Sequence, residues 1–147
     1  MAILEEVCEK ALVGIFMREN ITIEYFLGGS RRFGYDDAKS DVDIFILIPP
    51  NKTLLQAETI LRKEKFMRTS DYKGNYELGF IQFQDEQKLF HINVTDNPPL
   101  FSQLKKDHEE IEKFLSKKYG LVNYIKFLKK EFDIKGKYIF RLLREMI

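Results

Sequence analysis

The pattern of apolar and polar residues predicts alternating helices and strands in the first 65 residues. The strongest prediction is a strand over residues 41–48, because every residue after Asp43 is apolar until Pro49-Pro50 ends the run. Apolar residues at helical spacing indicate the two neighbouring helices. β-branched and aromatic residues before Gly28-Gly29 indicate the other strand. The predicted elements are a helix over 2–18, a strand over 22–27, a strand over 41–48 and a helix over 53–65.

The remainder of the chain is predicted to add strands first and helices afterwards. Turn-forming residues at 73–75 and 85–87 separate three strand-like stretches, and Gly120 and Gly136 separate three helical ones. The fold class is therefore α+β (mixed α/β), a sheet flanked by helices with a helical C-terminal segment. The predicted strands cover 66–72, 76–84 and 88–95, and the predicted helices cover 101–118, 122–132 and 137–146.

Length and composition indicate an ordinary globular protein. With 147 residues, of which 44% are hydrophobic and 32% charged, the chain can bury one core. We expect a core over residues 1–100 and a helical segment over 101–147 packed on it, not an independent domain. Cys8 is the only cysteine, so an intrachain disulfide is excluded. The absence of a long apolar run predicts a cytoplasmic protein without a membrane partner.

Charge is unevenly distributed along the chain. Residues 1–100 have 12 basic and 16 acidic side chains, whereas residues 101–147 have 12 basic and 7 acidic ones. The basic segment could contact an anionic partner or could be a solvated helical face. Its aromatic residues fit either a core or an RNA-facing surface, and the core is the favoured interpretation. The net charge of +1 argues against binding of extended duplex nucleic acid.

Two short motifs carry the candidate chemistry. Gly28, Gly29 and Ser30 lie where a predicted strand meets a short helix, so that a phosphate can approach the backbone and the serine hydroxyl can donate to it. Asp41 and Asp43 are two residues apart on a strand, which places both carboxylates on one face. Two converging carboxylates favour a cation between them, and hard oxygen ligands suit magnesium bound to substrate phosphates.

Together these motifs resemble the nucleotidyltransferase superfamily, which has the DNA polymerase beta-like nucleotidyltransferase fold. Gly29-Ser30 and residues 41–44 fit its signature, while Gly34 and Ser40 are similar to its minimal, stand-alone members. The resemblance implies that the glycine turn contacts a nucleoside triphosphate and that Asp41 and Asp43 hold Mg²⁺ (or Mn²⁺). An acceptor hydroxyl would then attack the α-phosphate. Stand-alone members often modify a toxin partner, so the acceptor is expected to be a small molecule or a protein.

Active members of the superfamily usually add a third carboxylate on a later strand, and this sequence has none at the corresponding place. Alternation puts His91, Asn93 and Thr95 on one face of the strand over 88–95. His91 could act as a base and Asn93 as a neutral oxygen ligand, or both could be half-buried structural residues. His91 is also similar to a histidine of the GrpB-like branch. A catalytically inactive nucleotide-binding or protein-interaction module therefore remains an alternative function.

Three further residues complete the sequence-based expectations. Arg32 and Lys39 flank the motifs and are candidate clamps for the triphosphate, or solvated cations. His108 lies among charged residues and is expected to be exposed on a helix.

Overall fold

The computed structural model describes residues 3–37, 40–70 and 79–147. The described residues form helices and strands in the predicted order, with the predicted short helix after the glycine turn. None of the described helices is both long and apolar enough to cross a membrane. The helices are α1 (Ile3–Met17), α2 (Gly29–Phe33), α3 (Leu54–Lys63), α4 (Pro98–Lys117), α5 (Leu121–Phe132) and α6 (Gly136–Met146). The strands are β1 (Glu24–Gly28), β2 (Val42–Leu47), β3 (Met67–Ser70), β4 (Ile81–Gln84) and β5 (Phe90–Thr95).

The five strands form one mixed sheet in the order β1-β2-β5-β4-β3. Strand β2 pairs antiparallel with β1 and parallel with β5, while β4 is antiparallel to both β5 and β3. The parallel β2–β5 pair requires a long connection, which includes α3, β3 and β4. This pairing brings two distant segments of the chain side by side at the centre of the sheet.

Strand β2 is covered on both faces, as its apolar run predicts. Val42, Ile44 and Ile46 pack into a core cluster with side chains of α1 and α3, whereas Phe45 points to the opposite face. The second cluster joins Phe45 to side chains of α4, α5 and α6. The helices therefore form a layer on each face of the sheet, and residues after 100 share a core with the central strands. The division into a core and a helical segment remains a prediction.

Several predicted boundaries differ from the structure. Helix α4 begins at Pro98, not at 101, because Asn97 caps it with a side-chain oxygen that accepts from the Leu100 N–H, and proline is tolerated in a first turn. Strand β4 begins at Ile81, not at 76, and Gly79 has a φ of +97° outside the strand. The predicted turn at 73–75 lies outside the described residues.

Most aromatic residues of the C-terminal segment are exposed, so the prediction that they form core positions is wrong for them. Phe140 is buried, and so is the aliphatic residue Ile125. The other aromatic side chains of α5 and α6 face outward. An amphipathic helix packs only one face against the core. In α5 this face is narrow and is centred on Ile125. The exposed aromatic residues are Tyr119, Tyr124, Phe127, Phe132 and Tyr138.

Candidate active site

The β2–β5 pairing assembles a cluster of two carboxylates and an imidazole. Asp43 on β2 lies directly opposite His91 on β5, and Asp41 precedes β2 by one residue. A possible ligand atom of each of these three side chains lies within 4.8 Å of those of the other two. The prediction that both aspartates share one face is confirmed, and the polar face predicted for β5 is the face they share.

His91 forms a hydrogen bond with one of the two carboxylates. Its Nδ1 lies 2.8 Å from Asp43 Oδ1, and both side chains are about a quarter exposed, at 26% and 22%. Contact with solvent allows a ligand to reach this pair. The hydrogen bond fixes the orientation of the ring against the carboxylate that faces the glycine turn.

Asn93 lies on the same face of β5 as His91 and is more deeply buried than His91. It is 2% exposed, and its Oδ1 accepts a hydrogen bond of 2.9 Å from Gln82 Nε2 on the neighbouring strand. Its Nδ2 donates to the Ile44 carbonyl at 3.4 Å. The amide oxygen is thus engaged within the sheet, although Asn93 lines the cavity beside the cluster.

The glycine turn packs tightly against the cluster. Gly28 is in register with Asp43, and a Cβ atom at Gly28 would lie 2.5 Å from the Phe45 ring and 2.8 Å from His108 Nε2. Gly29 has a φ of +72°, and a Cβ atom there would overlap the Asp43 carboxylate. Both positions therefore require glycine for close approach, and the second also requires it for its backbone conformation.

Electrostatic repulsion and burial raise the energy of the charged cluster. Burial, and next the charge of Asp43, raises the pKa of the Asp41 carboxyl to about 6, with His91 acting in the opposite direction. A cation would relieve this cost, because it neutralises both carboxylates at once. The chemistry of the donor set therefore fits a divalent metal ion.

Arg31 positions the loop that delivers Asp41. Its Nε donates to the Ser40 carbonyl at 3.1 Å, and its Nη1 forms a 3.1 Å ion pair with Glu5 of α1. The two side chains are 15% and 6% exposed, so the pair is screened little by solvent. Arg31 thus ties α1, α2 and the start of β2 together.

A cavity of about 310 Å³ opens beside the cluster and the turn. Its lining includes Gly29 and Ser30 on one side and, from the C-terminal helices, Lys129 and Lys137. Lys129 Nζ donates to the Tyr35 carbonyl at 2.9 Å. Sequence reasoning missed both lysines. The basic excess after residue 100 was the only signal, and it does not distinguish a lysine at the cavity from one on an outer face.

Arg32, one of the two cations proposed from the sequence as clamps, lies away from the cavity. Arg32 Nη1 donates to the Leu27 carbonyl at 3.0 Å and its Nε pairs with Glu112 at 3.3 Å, so the guanidinium joins β1 to α4. It is absent from the lining of the cavity. Lys39 lies outside the described residues.

His108 is buried, and the expectation that it is exposed is wrong. It is 1% exposed and its ring packs on Phe26, Phe33, Phe45 and Phe140. Nδ1 donates to the Leu104 carbonyl at 2.8 Å, which leaves Nε2 facing the glycine turn. Burial lowers the pKa of His108 from 6.5 to about 3, so the ring is neutral.

The inward face of α4 explains this burial. Leu104, His108, Ile111 and Leu115 recur at helical spacing and are all buried. That periodicity was present in the sequence and could have indicated the burial of His108, but the surrounding charges obscured it.

Comparison with known proteins supports the resemblance to nucleotidyltransferases. The family model described as a nucleotidyltransferase domain matches residues 1–143. The chain therefore belongs to the nucleotidyltransferase domain family, as its motifs predicted. Comparison with curated protein sequences gives no significant match.

Comparison with solved structures gives a distant match. It is described as the structural basis for the activity of a cytoplasmic RNA terminal U-transferase, and it is similar to this chain at 18% identity and a TM-score of 0.42. The similarity covers 76% of this chain and 37% of that one. This chain thus spans well under half the length of that relative.

Proposed function

We propose that this protein is a metal-dependent nucleotidyltransferase that moves a nucleotidyl group from a nucleoside triphosphate to a hydroxyl group of a small molecule or a protein. The observation that carries the proposal is the cluster of Asp41, Asp43 and His91, with ligand atoms within 4.8 Å of one another beside a Gly-Ser turn. Family membership supports the same reaction class.

The two aspartates would hold a divalent cation, Mg²⁺ or Mn²⁺. When bound, such a cation supplies charge neutralisation at the phosphates and activation of the attacking oxygen. Two contacts support this role: the register of Asp43 opposite Gly28 and His91, and the bond from Arg31 to the loop that precedes Asp41.

The opposite sides of the cavity would bind the triphosphate. Gly29 leaves its backbone open to a phosphate, and the Ser30 hydroxyl can donate to a phosphate oxygen. Lys129 and Lys137 add positive charge from the C-terminal helices. In this arrangement the two lysines take the clamping role that the sequence suggested for Arg32.

The reaction would be an in-line displacement at the α-phosphorus. A bond forms between the acceptor oxygen and the α-phosphorus, the bond from that phosphorus to the bridging oxygen breaks, and pyrophosphate leaves. The hydroxyl proton passes to solvent. The protein residues contribute by positioning the two reactants and by stabilising charge.

A protein acceptor, such as a toxin partner, is supported by the exposed aromatic side chains of the C-terminal helices. Tyr124 and Phe127 of α5 are 56% and 52% exposed, and their rings stack at a centroid distance of 6.3 Å. Exposed aromatic residues are typical of contact surfaces. A partner bound there would lie on the helices that also line the cavity.

A non-catalytic nucleotide-binding module is the alternative function. The observation that favours it is the lack of a carboxylate on β5 next to the aspartates, where His91 stands opposite Asp43 and Asn93 follows on the same face. Such a module would bind a nucleoside triphosphate without releasing pyrophosphate.

The first experiment is thermal unfolding with a divalent cation and each nucleoside triphosphate, for the wild type and for an Asp41→Ala, Asp43→Ala variant. A ligand that binds only the native state at 100 times its Kd stabilises it by about 2.7 kcal/mol. We expect a metal-dependent rise that the double variant lacks. Asp96→Ala serves as the matched control, because Asp96 is an exposed acid just after β5.

Pyrophosphate release in the presence of candidate acceptors then separates the two functions. Release that requires Asp41 and Asp43 supports the transferase. Nucleotide binding without release for any acceptor supports the binding module. No stabilisation by any nucleotide up to millimolar concentrations would contradict both.

A further inference from the structure

The third side chain of the cluster is an imidazole, and this has a consequence for the choice of metal. We propose that His91 is a metal ligand together with Asp41 and Asp43, and that the centre therefore favours a first-row transition cation such as Mn²⁺ over Mg²⁺. The inference rests on the proposed function for the location of the metal, but it does not require that transfer occurs.

The geometry suits a single cation held by all three side chains. Two ligand atoms on one octahedral ion lie about 3 Å apart when adjacent and about 4.2 Å apart when opposite, given metal–oxygen distances of about 2.1 Å. His91 Nδ1 and Asp43 Oδ1, at 2.8 Å, are close to the adjacent spacing. The ligand atoms of the whole cluster lie within 4.8 Å of one another, a limit slightly longer than the opposite spacing.

The sheet fixes this arrangement from both sides. Asp43 and His91 are partners in the parallel β2–β5 register, so their Cα atoms cannot separate without breaking the central pairing. Gly29 lies against the other side of the Asp43 carboxylate. The imidazole is thus held next to the carboxylates by two paired inner strands of the sheet.

The other polar side chain on this part of β5 is engaged differently. Asn93 Oδ1 accepts from Gln82 Nε2 at 2.9 Å, and the amide is 2% exposed. A metal ligated by Asn93 Oδ1 would therefore have to reach a buried oxygen that already accepts this hydrogen bond. The His91 side chain is about a quarter exposed, and ligation through Nδ1 would release the proton on that nitrogen and replace its hydrogen bond to Asp43 with coordination of both groups to one cation.

The identity of the donor atoms sets the metal preference. Mg²⁺ prefers oxygen ligands and retains several waters, whereas imidazole nitrogen suits first-row transition cations. A centre of two carboxylates and one imidazole is therefore expected to discriminate against Mg²⁺ more than a centre of three carboxylates. A His91→Asp variant creates that second centre in the same fold and provides the matched comparison.

The decisive measurement is the ratio of the Mg²⁺ and Mn²⁺ dissociation constants, obtained by calorimetry without nucleotide for the wild type, His91→Asp and His91→Gln. We expect the preference for Mn²⁺ to fall about tenfold or more in His91→Asp, and the Mn²⁺ affinity to fall about tenfold or more in His91→Gln. Circular dichroism checks that each variant is folded. Unchanged ratios and affinities in folded variants would overturn the proposal.

Electron spin-echo spectroscopy of the Mn²⁺ complex tests ligation directly. The chain has two histidines, so ¹⁵N-histidine labelling marks only His91 and His108. We expect a nitrogen coupling that changes with the label and disappears in both His91 variants. A Mn²⁺ complex without nitrogen coupling would exclude His91 as a ligand.

These results separate the metal from the reaction. Nitrogen coupling in a protein that releases no pyrophosphate supports the ligand assignment and contradicts the transferase. Pyrophosphate release with Mg²⁺, without nitrogen coupling in the Mn²⁺ complex, supports the transferase and contradicts the ligand assignment.

Discussion

Gly29 and Asp43 are packed so closely that a side chain on the first would occupy the position of the carboxylate of the second. The two residues lie on different elements, α2 and β2, and they connect the two motifs of the site. The turn therefore limits where the Asp43 carboxylate can lie, in addition to any contact the turn makes with a phosphate.

A Gly29→Ala substitution tests this packing. We expect a loss of about 2 kcal/mol in the free energy of unfolding, because φ is +72° and the added methyl group displaces Asp43. We also expect metal affinity to fall about tenfold. Gly14→Ala is the matched control, since a Cβ atom there meets nothing within 4 Å and a helical alanine should stabilise by about 0.5–1 kcal/mol. Equal urea midpoints for the two variants would contradict the packing argument.

Asp41→Asn is expected to stabilise the metal-free protein while removing its response to metal. The pKa of Asp41 is raised to about 6, so the stability gained from its protonation is lost as pH rises from 3.8 through 6. At pH 7.5 the neutral amide should add about 1 kcal/mol, a value reduced by solvent screening. Melting curves with Mn²⁺ and with a chelator measure both effects. Asp96→Asn should show neither, and a metal-dependent rise that persists in Asp41→Asn would be inconsistent with Asp41 as a ligand.

Lys137→Ala is expected to weaken nucleotide binding without changing metal binding. The side chain lines the cavity but is not part of the cluster of metal ligands. Loss of one charge-assisted contact of about 1.5 kcal/mol lowers affinity about tenfold. Lys126→Ala on α5 is the control, because Lys126 is exposed and does not line the cavity. Calorimetry with a nucleoside triphosphate and Mn²⁺ should separate the two variants, and identical affinities would remove Lys137 from the site.

His108 is expected to make the fold sensitive to acid. The pKa of this buried ring falls from 6.5 to about 3, so the unfolded chain binds the proton more readily and stability is lost as pH drops below 6.5. Between pH 7 and pH 5.5 the loss from this group should be about 1 kcal/mol. The difference in unfolding free energy between wild type and His108→Gln should shrink by that amount. A difference that is constant with pH would show that His108 does not titrate in this way.

The sequence was sufficient for features that depend on local geometry. The apolar run after Asp43 predicted a strand buried on both faces, and period-two alternation placed Asp41 and Asp43 on one face of it. The glycine turn was recognisable because only glycine permits both the positive φ and the close backbone approach. The requirement for a residue without a side chain at position 29 is local, so the glycine in the sequence indicates it directly.

Tertiary structure decided which distant residues meet these motifs. The parallel pairing of β2 with β5 joins Asp43 to His91 across 48 positions of the chain, and helix packing brings Lys129 and Lys137 to the cavity and His108 beneath the turn. Periodicity reports which face of an element is apolar, but it does not report which other element covers that face. Strand pairing and helix packing depend on the whole core. For this reason the dyad, its turn and the polar face of β5 were predictable, whereas the bond between His91 and Asp43 and the positions of the two lysines and His108 were not.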